Sequence, residues 1–166
     1  RRSTLAAGFV MTMPGVPMLF QGQEFMEDGW FNHWKGLDWE KTKEFPGIVQ
    51  LYKDLIKLRK NVDGKTGGLT GEYVEILHIH EDDKVIGYRR FGQNDDVVIF
   101  ANLSHEQKLN YMVKFPSDGD WKVRLNSDWN GYSPDFTNTE TPDLKVEQNK
   151  GPVNIGPYSL IILSKD

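Results

Sequence analysis

Apolar residues change their period once along this chain, near Asn61. Beyond Asp63 they alternate with polar residues, the spacing of strands that turn one face to a core. The alternation predicts strands over residues 74–79, 85–91, 97–103, 109–115, 121–125, 144–146 and 157–163. Polar turns separate them, clearest at Gly92-Gln93-Asn94-Asp95 and at Ser117-Asp118-Gly119-Asp120. Leu109, Tyr111, Val113 and Phe115 are expected on a single strand face. A run of roughly seven or eight such strands predicts an antiparallel β-sandwich or Greek-key module, with no long helix in residues 85–126. Its expected core is Val98, Phe100, Val113, Phe115, Trp121, Val123, Leu160 and Ile162. Residues 127–143 interrupt the strands as a polar excursion dotted with aromatics.

Before Asn61 the pattern is helical or barrel-like. Residues 4–11 are apolar nearly all round, as in a helix wedged into a core, and Pro14-Gly15 stop it. The turn Pro14-Gly15-Val16-Pro17 then feeds a short apolar run over residues 17–21, which ends in Gln21-Gly22-Gln23-Glu24. That is the pattern of a buried parallel strand delivering polar groups at its carboxyl end. Residues 26–45 form a long loop carrying Trp30, Phe31, Trp34, Trp39 and Phe45. Loops of this length usually carry function. Pro46 suits the first turn of a helix over residues 46–60, on which Ile48, Tyr52, Leu55, Ile56 and Arg59 share a face. Lys57, Arg59 and Lys60 favour its negative end. Two regions are expected, residues 1–62 and residues 63–166.

The 166 residues allow one ordinary domain, or a small domain with an appendage. The absence of cysteine excludes disulfides and thiolate metal sites. A net charge of −4 with interspersed signs argues against nucleic acid or an anionic membrane as partner. No apolar run approaches the ~20 residues of a membrane span, and no secretory leader is read after Arg1. His78-x-His80 with Glu81 places two imidazoles on one strand face but offers no third ligand, so it reads as a solvent-facing strand edge. Gly64, Gly67, Gly68 and Gly71 read as a flexible approach to the strands rather than a phosphate loop. No metal and no cofactor is expected.

Taken together, Pro14-Gly15-Val16-Pro17, Gln21-Gly22-Gln23-Glu24-Phe25, Leu37-Asp38-Trp39 and the helix at residues 51–59 resemble the carboxyl-terminal third of an alpha-amylase family enzyme (glycoside hydrolase family 13). Within that family the sequence is most similar to glycogen branching enzymes and close amylase relatives. Leu125-Asn126-Ser127-Asp128 with Gly131-Tyr132, and Pro157-Tyr158-Ser159, fit the same ending. The resemblance implies the last strand and helices of an incomplete (β/α)8 barrel over residues 1–62. A C-terminal all-β domain would follow over residues 63–166. The family's catalytic carboxylates lie on earlier strands, and no segment here matches their motifs. A non-catalytic fragment of an α-1,4-glucan-active enzyme is therefore expected, with branching ahead of hydrolysis and a non-catalytic glucan-binding or structural module as the alternative. The implied partner is an α-glucan such as glycogen, starch or amylose, and the implied location is cytoplasmic, or secreted for an amylase.

The resemblance gives Glu24, with Gln23, a supporting role at the base of the sugar cleft. Trp30 and Trp34 are candidate sugar platforms, since a pyranose C–H face stacks on a large π surface, whereas Trp39 is expected to pack the loop. Trp129 and Tyr132 are candidates for an exposed glucan contact on the β-domain, against the reading that they pin their own loop. Finally, residues 17–21 lack barrel neighbours in this chain. Residues 1–25 are expected to be poorly ordered, or held by self-association of the truncated barrel edge.

Overall fold

The computed structural model describes residues 1–92 and 95–166. Gln93 and Asn94, the centre of one expected turn, lie outside the described residues. Three helices come first: α1 (Arg2–Thr12), the single-turn α2 (Lys41–Glu44) and α3 (Pro46–Arg59). Eight strands follow: β1 (Tyr73–His80), β2 (Val85–Gly92), β3 (Asp95–Asn102), β4 (Lys108–Lys114), β5 (Gly119–Asn126), β6 (Leu144–Val146), β7 (Lys150–Ile155) and β8 (Ser159–Ser164).

The antiparallel all-β reading holds, with a more uneven layering than a plain sandwich. One sheet has six strands in the order β1-β2-β3-β8-β5-β6, and the other has only β4 and β7. The central strands β3 and β8 are apolar on both faces because both faces are covered. Val97, Ile99, Ala101, Leu160 and Ile162 pack with α1 and α3, through Leu5, Ala7, Met11, Ile48, Leu51 and Leu55. Val98, Phe100, Ile161 and Leu163 point the other way, onto Val113, Phe115, Trp121, Val153 and Ile155. The expected core residues are buried except Val123, which is partly so.

Several expectations are corrected. The segment before α3 was expected to find no intramolecular surface, but α1 lies on β8. Its buried residues Thr4, Leu5, Ala7, Gly8, Met11 and Thr12 form one helical stripe. A Cβ at Gly8 would overlap the Leu160 side chain, so glycine permits this close approach. Residues 17–21, expected as a strand, form none; they run without a ladder partner, and Met18 and Phe20, like Val16 before them, are exposed. On β4 the register shifts between Lys108 and Tyr111, where Asn110 has φ 50°, and Leu109 is exposed rather than aligned with Val113. Strand β7 escapes the pattern because Pro152 falls inside it. It is tolerated there because β7 has a ladder partner on one side only.

Two arginines fasten α1. Arg90, fully buried, donates to the carbonyls of Thr12, Leu69, Gly71 and Tyr73. Arg59, near the end of α3, donates to Met13 O at 2.7 Å and to Gly15 O at 2.5 Å. Carbonyls at the carboxyl end of α1 thus receive charged donors where the helix itself supplies none.

Candidate functional site

Two regions carry the residues singled out from the sequence. The first is the aromatic loop before α3. Gly22 adopts φ 77°, and residues 23–25 make a single 3-10 turn that brings Phe25 into the core. Gln23 bridges two segments. Its Oε1 accepts from the Phe20 amide at 2.8 Å, and its Nε2 donates to the Tyr52 hydroxyl on α3 at 3.0 Å. Burial, then the Gln23 bond in opposition, then the Glu24 charge act on Tyr52, and the net effect raises its phenol. Glu24 points one oxygen inward, and that buried Oε2 has no hydrogen-bond partner among the described residues. A buried carboxylate oxygen without a donor is costly.

Glu27, which the sequence reading missed, organises the loop. Its carboxylate accepts from Asp38 N at 2.9 Å and Gly29 N at 3.1 Å, and Lys41 lies 3.6 Å away. The Asp38 amide, then that of Gly29, holds this carboxyl below its usual range. Lys41 also pairs with Asp28. No periodicity links Glu27 to Asp38, so only the folded loop reveals the connection. The loop frames a cavity of about 350 Å³ lined in part by Glu27, Trp30, Phe31 and Lys35. Trp30 is 98% exposed on its wall, while Trp34, 95% exposed, lies outside the lining. Trp39 packs on Phe25 with ring centroids 5.0 Å apart, as expected of a loop-bracing residue, although much of it faces solvent.

The second region is the excursion after β5. Asp128 is buried and accepts from Thr137 N, Thr139 N and Thr139 Oγ1 at 3.0, 2.9 and 2.7 Å. Asn126 adds a bond from Nδ2 to Thr139 O at 2.6 Å and accepts from Asp128 N at 2.9 Å. The Asn-Ser-Asp stretch is therefore the clasp of this excursion. Of the two readings weighed for Tyr132, the structure shows the one in which it pins its own loop. It is buried, and its hydroxyl donates to Asp54 of α3 at 2.7 Å. Trp129 remains half-exposed and meets Tyr132 edge-on at 5.0 Å. The structure thus separates the pair: Tyr132 anchors the loop and Trp129 faces outward.

His78 and His80 stand on the edge strand β1, and no metal-binding cluster occurs among the described residues. His78 instead meets the Tyr111 hydroxyl at 3.3 Å, and that hydroxyl donates to Asp83 at 2.9 Å.

The family described as "Alpha amylase, C-terminal all-beta domain" matches residues 76–166. The 1,4-alpha-glucan branching enzyme GlgB of Rhodospirillum rubrum is 27% identical over 96% of this chain, which spans 23% of that protein. The corresponding enzyme of Myxococcus xanthus is 32% identical over 80% of the chain and 19% of its own length. The chain thus spans about a fifth of the curated relatives it matches. Among solved structures, the alpha-amylase from H.orenii superposes with a TM-score of 0.68 at 21% identity, over 99% of this chain and 35% of that one. With the profile covering more than half of its length, and β1 to β8 forming the antiparallel sheets described above, the chain belongs to the alpha-amylase family, whose C-terminal all-β domain it contains.

Proposed function

We propose that this chain is the non-catalytic carboxyl-terminal part of an α-1,4-glucan-active enzyme, with a 1,4-alpha-glucan branching enzyme as the parent. The observation that carries this reading is the extent of the likeness to branching enzymes. It reaches over 96% of the chain, beyond the all-β domain and into the helices and aromatic loop before it. On this reading residues 1–62 are the closing part of the catalytic barrel and residues 63–166 the domain that braces it. Gln23 and Glu24 sit at the base of the sugar cleft, where the unpartnered Glu24 Oε2 awaits a donor from another part of the enzyme. Trp30 and Trp34 lie on a loop that borders the glucan. The parent cleaves an α-1,4 bond through a glycosyl-enzyme intermediate and passes the chain to a sugar 6-hydroxyl, in the cytoplasm. The retaining carboxylate pair, ~5–5.5 Å apart, is supplied by the rest of the enzyme.

Hydrolysis by an amylase is the second reading, supported by the fold match to the H.orenii enzyme over 99% of the chain. Amylose incubated with the full-length protein distinguishes the two. Branching lowers iodine staining while creating linkages sensitive to a debranching enzyme, without a burst of reducing ends. Reducing ends without new branches would replace the branching reading by hydrolysis. Activity of the 166-residue chain alone would overturn the non-catalytic assignment.

A further inference from the structure

We propose that Trp129 is the platform of an accessory α-glucan-binding site on the all-β domain, separate from the aromatic loop at residues 26–45. A cavity of about 430 Å³ lies beside it, lined also by Asn126, Asn138, Thr139 and Glu140. That volume falls within the roughly 300–1,000 Å³ of small-molecule sites.

The ring is held rather than loose. Tyr132 meets it edge-on at 5.0 Å and is itself tied to Asp54. On another side the indole covers Gly131, where any Cβ would overlap it. An indole fixed in this way, yet 49% exposed, presents a large π surface at little entropic cost on binding. The wall beside it is polar and mixed. Asn138 uses its Oδ1 to accept from Asn130 N at 3.2 Å, which leaves amide N–H groups to donate. Glu140 is exposed and can accept. One aromatic face with donors and acceptors around it matches a sugar, which offers a C–H face and a rim of hydroxyls. A protein partner would call for a broader apolar patch. The clasp of Asp128 and Asn126 on Thr139 holds this wall in place without a ligand.

The choice of an α-glucan over another sugar rests on the proposed function, and the test separates the two. Indole N–H resonances of the 166-residue chain are followed by NMR during titration with maltoheptaose, with cellohexaose as control. The expected result is a shift of the Trp129 signal by maltoheptaose only. Trp129→Ala should weaken that binding at least about tenfold, equivalent to about 1.4 kcal/mol, while Trp129→Phe keeps part of it. Met112→Ser, at an exposed position of β4 outside the cavity lining, should bind as the parent chain does. Thermal melting of each variant confirms that it folds, and Trp129→Phe serves if Trp129→Ala does not. Absence of any Trp129 shift, or maltoheptaose binding by a folded Trp129→Ala as tight as that of the parent chain, would overturn the site whether or not the full-length enzyme branches amylose. An equal response to cellohexaose would overturn the α-glucan assignment while leaving the branching assay untouched.

Discussion

Tyr132, in the excursion after β5, donates its phenolic hydrogen to Asp54 of α3 across 2.7 Å and so joins segments 78 residues apart. Gln50, one turn earlier, donates to the other oxygen of Asp54 at 2.8 Å. Burial first, then Asp54, pushes the phenol of Tyr132 far up, so it remains a donor at any ordinary pH. Tyr132→Phe keeps the buried ring and removes only this bond to a charged acceptor. The expected loss is about 1–2 kcal/mol, read as a lower urea midpoint at unchanged slope. An unchanged midpoint would mean that the bond contributes nothing net.

Gly47 sets two effects of opposite sign against each other. Helix propensity alone favours Gly47→Ala by up to about 1 kcal/mol. A Cβ there would, however, overlap the carbonyl oxygens of Gly131 and Tyr132, which are backbone atoms with little room to move. The steric effect should win, with a net loss of about 1–3 kcal/mol. A stabilised variant would show that the excursion yields easily to α3.

Much of this architecture is legible in the sequence because its causes are local. The period-two alternation of Trp121, Val123 and Leu125 on β5 follows from strand geometry, the continuous apolar runs of β3 and β8 from burial on both faces, and the stripe on α3 from helix geometry. The errors and the open readings fall where a distant contact decides. Tyr132 sits in a polar stretch that leaves an exposed contact and a loop anchor both open, and the distant Asp54 settles it as the anchor. Residues 17–21 have the composition of a strand and find no ladder partner, since a strand exists only with a neighbour. Helix α1 docks because Gly8 and two arginines fit it to β8 and its surroundings, which no apolar count reveals. At the site, Gln23 and Glu24 were visible as polar groups ending an apolar run. The role of Glu27 was not, because its partners are main-chain amides.

The Asp83–Tyr111–His78 group should make stability depend on pH at both ends. Because Tyr111 donates to Asp83, it accepts from His78, which fixes the Nε2–H tautomer of that imidazole. The Tyr111 bond, foremost, lowers the Asp83 carboxyl. Burial, foremost, lowers His78, followed by the charges of His80 and Lys114. Both groups are depressed on folding. Their contributions are therefore complete above the ordinary values of about 6.5 and 3.9, and are lost as pH falls through the lower folded values. Tyr111 is pushed up to about 12, by burial first and then by Asp83. Its contribution holds below about 10 and is lost as pH rises through the folded value. Urea midpoints from pH 3 to pH 12 should therefore show a plateau between about 7 and 10 that falls off on both sides. Tyr111→Phe should flatten the alkaline limb. Identical profiles for the two proteins would refute this.

Val16, Met18 and Phe20 form an exposed apolar run, Val16 being 96% exposed, on a segment without a ladder partner among the described residues. Such a segment seeks a partner, and in this chain by itself a second copy is the one at hand. Sedimentation velocity should show concentration-dependent association that Val16→Ser/Met18→Ser reduces without lowering the melting temperature. A chain that stays monomeric at high concentration would remove this expectation.

Arg90 provides the most demanding test, because it is a fully buried cation held by carbonyls and, among the described residues, by no carboxylate. Burial first, then Arg59, lowers its pKa, but a guanidinium starts so high that it stays charged. Arg90→Met keeps the length and the apolar stem while removing every donor. The carbonyls of Thr12, Leu69, Gly71 and Tyr73 would then lose their charged partner, at a cost expected to exceed about 3 kcal/mol. Because Thr12 ends α1, the loss should also be regional. Hydrogen exchange should accelerate in α1 and residues 67–73 more than in β5 or β8. Arg90→Lys, with a point charge in place of the planar fork, should fall between the two. Uniform acceleration across the sheet, or none in α1, would show that Arg90 does not fasten the helix to the strands.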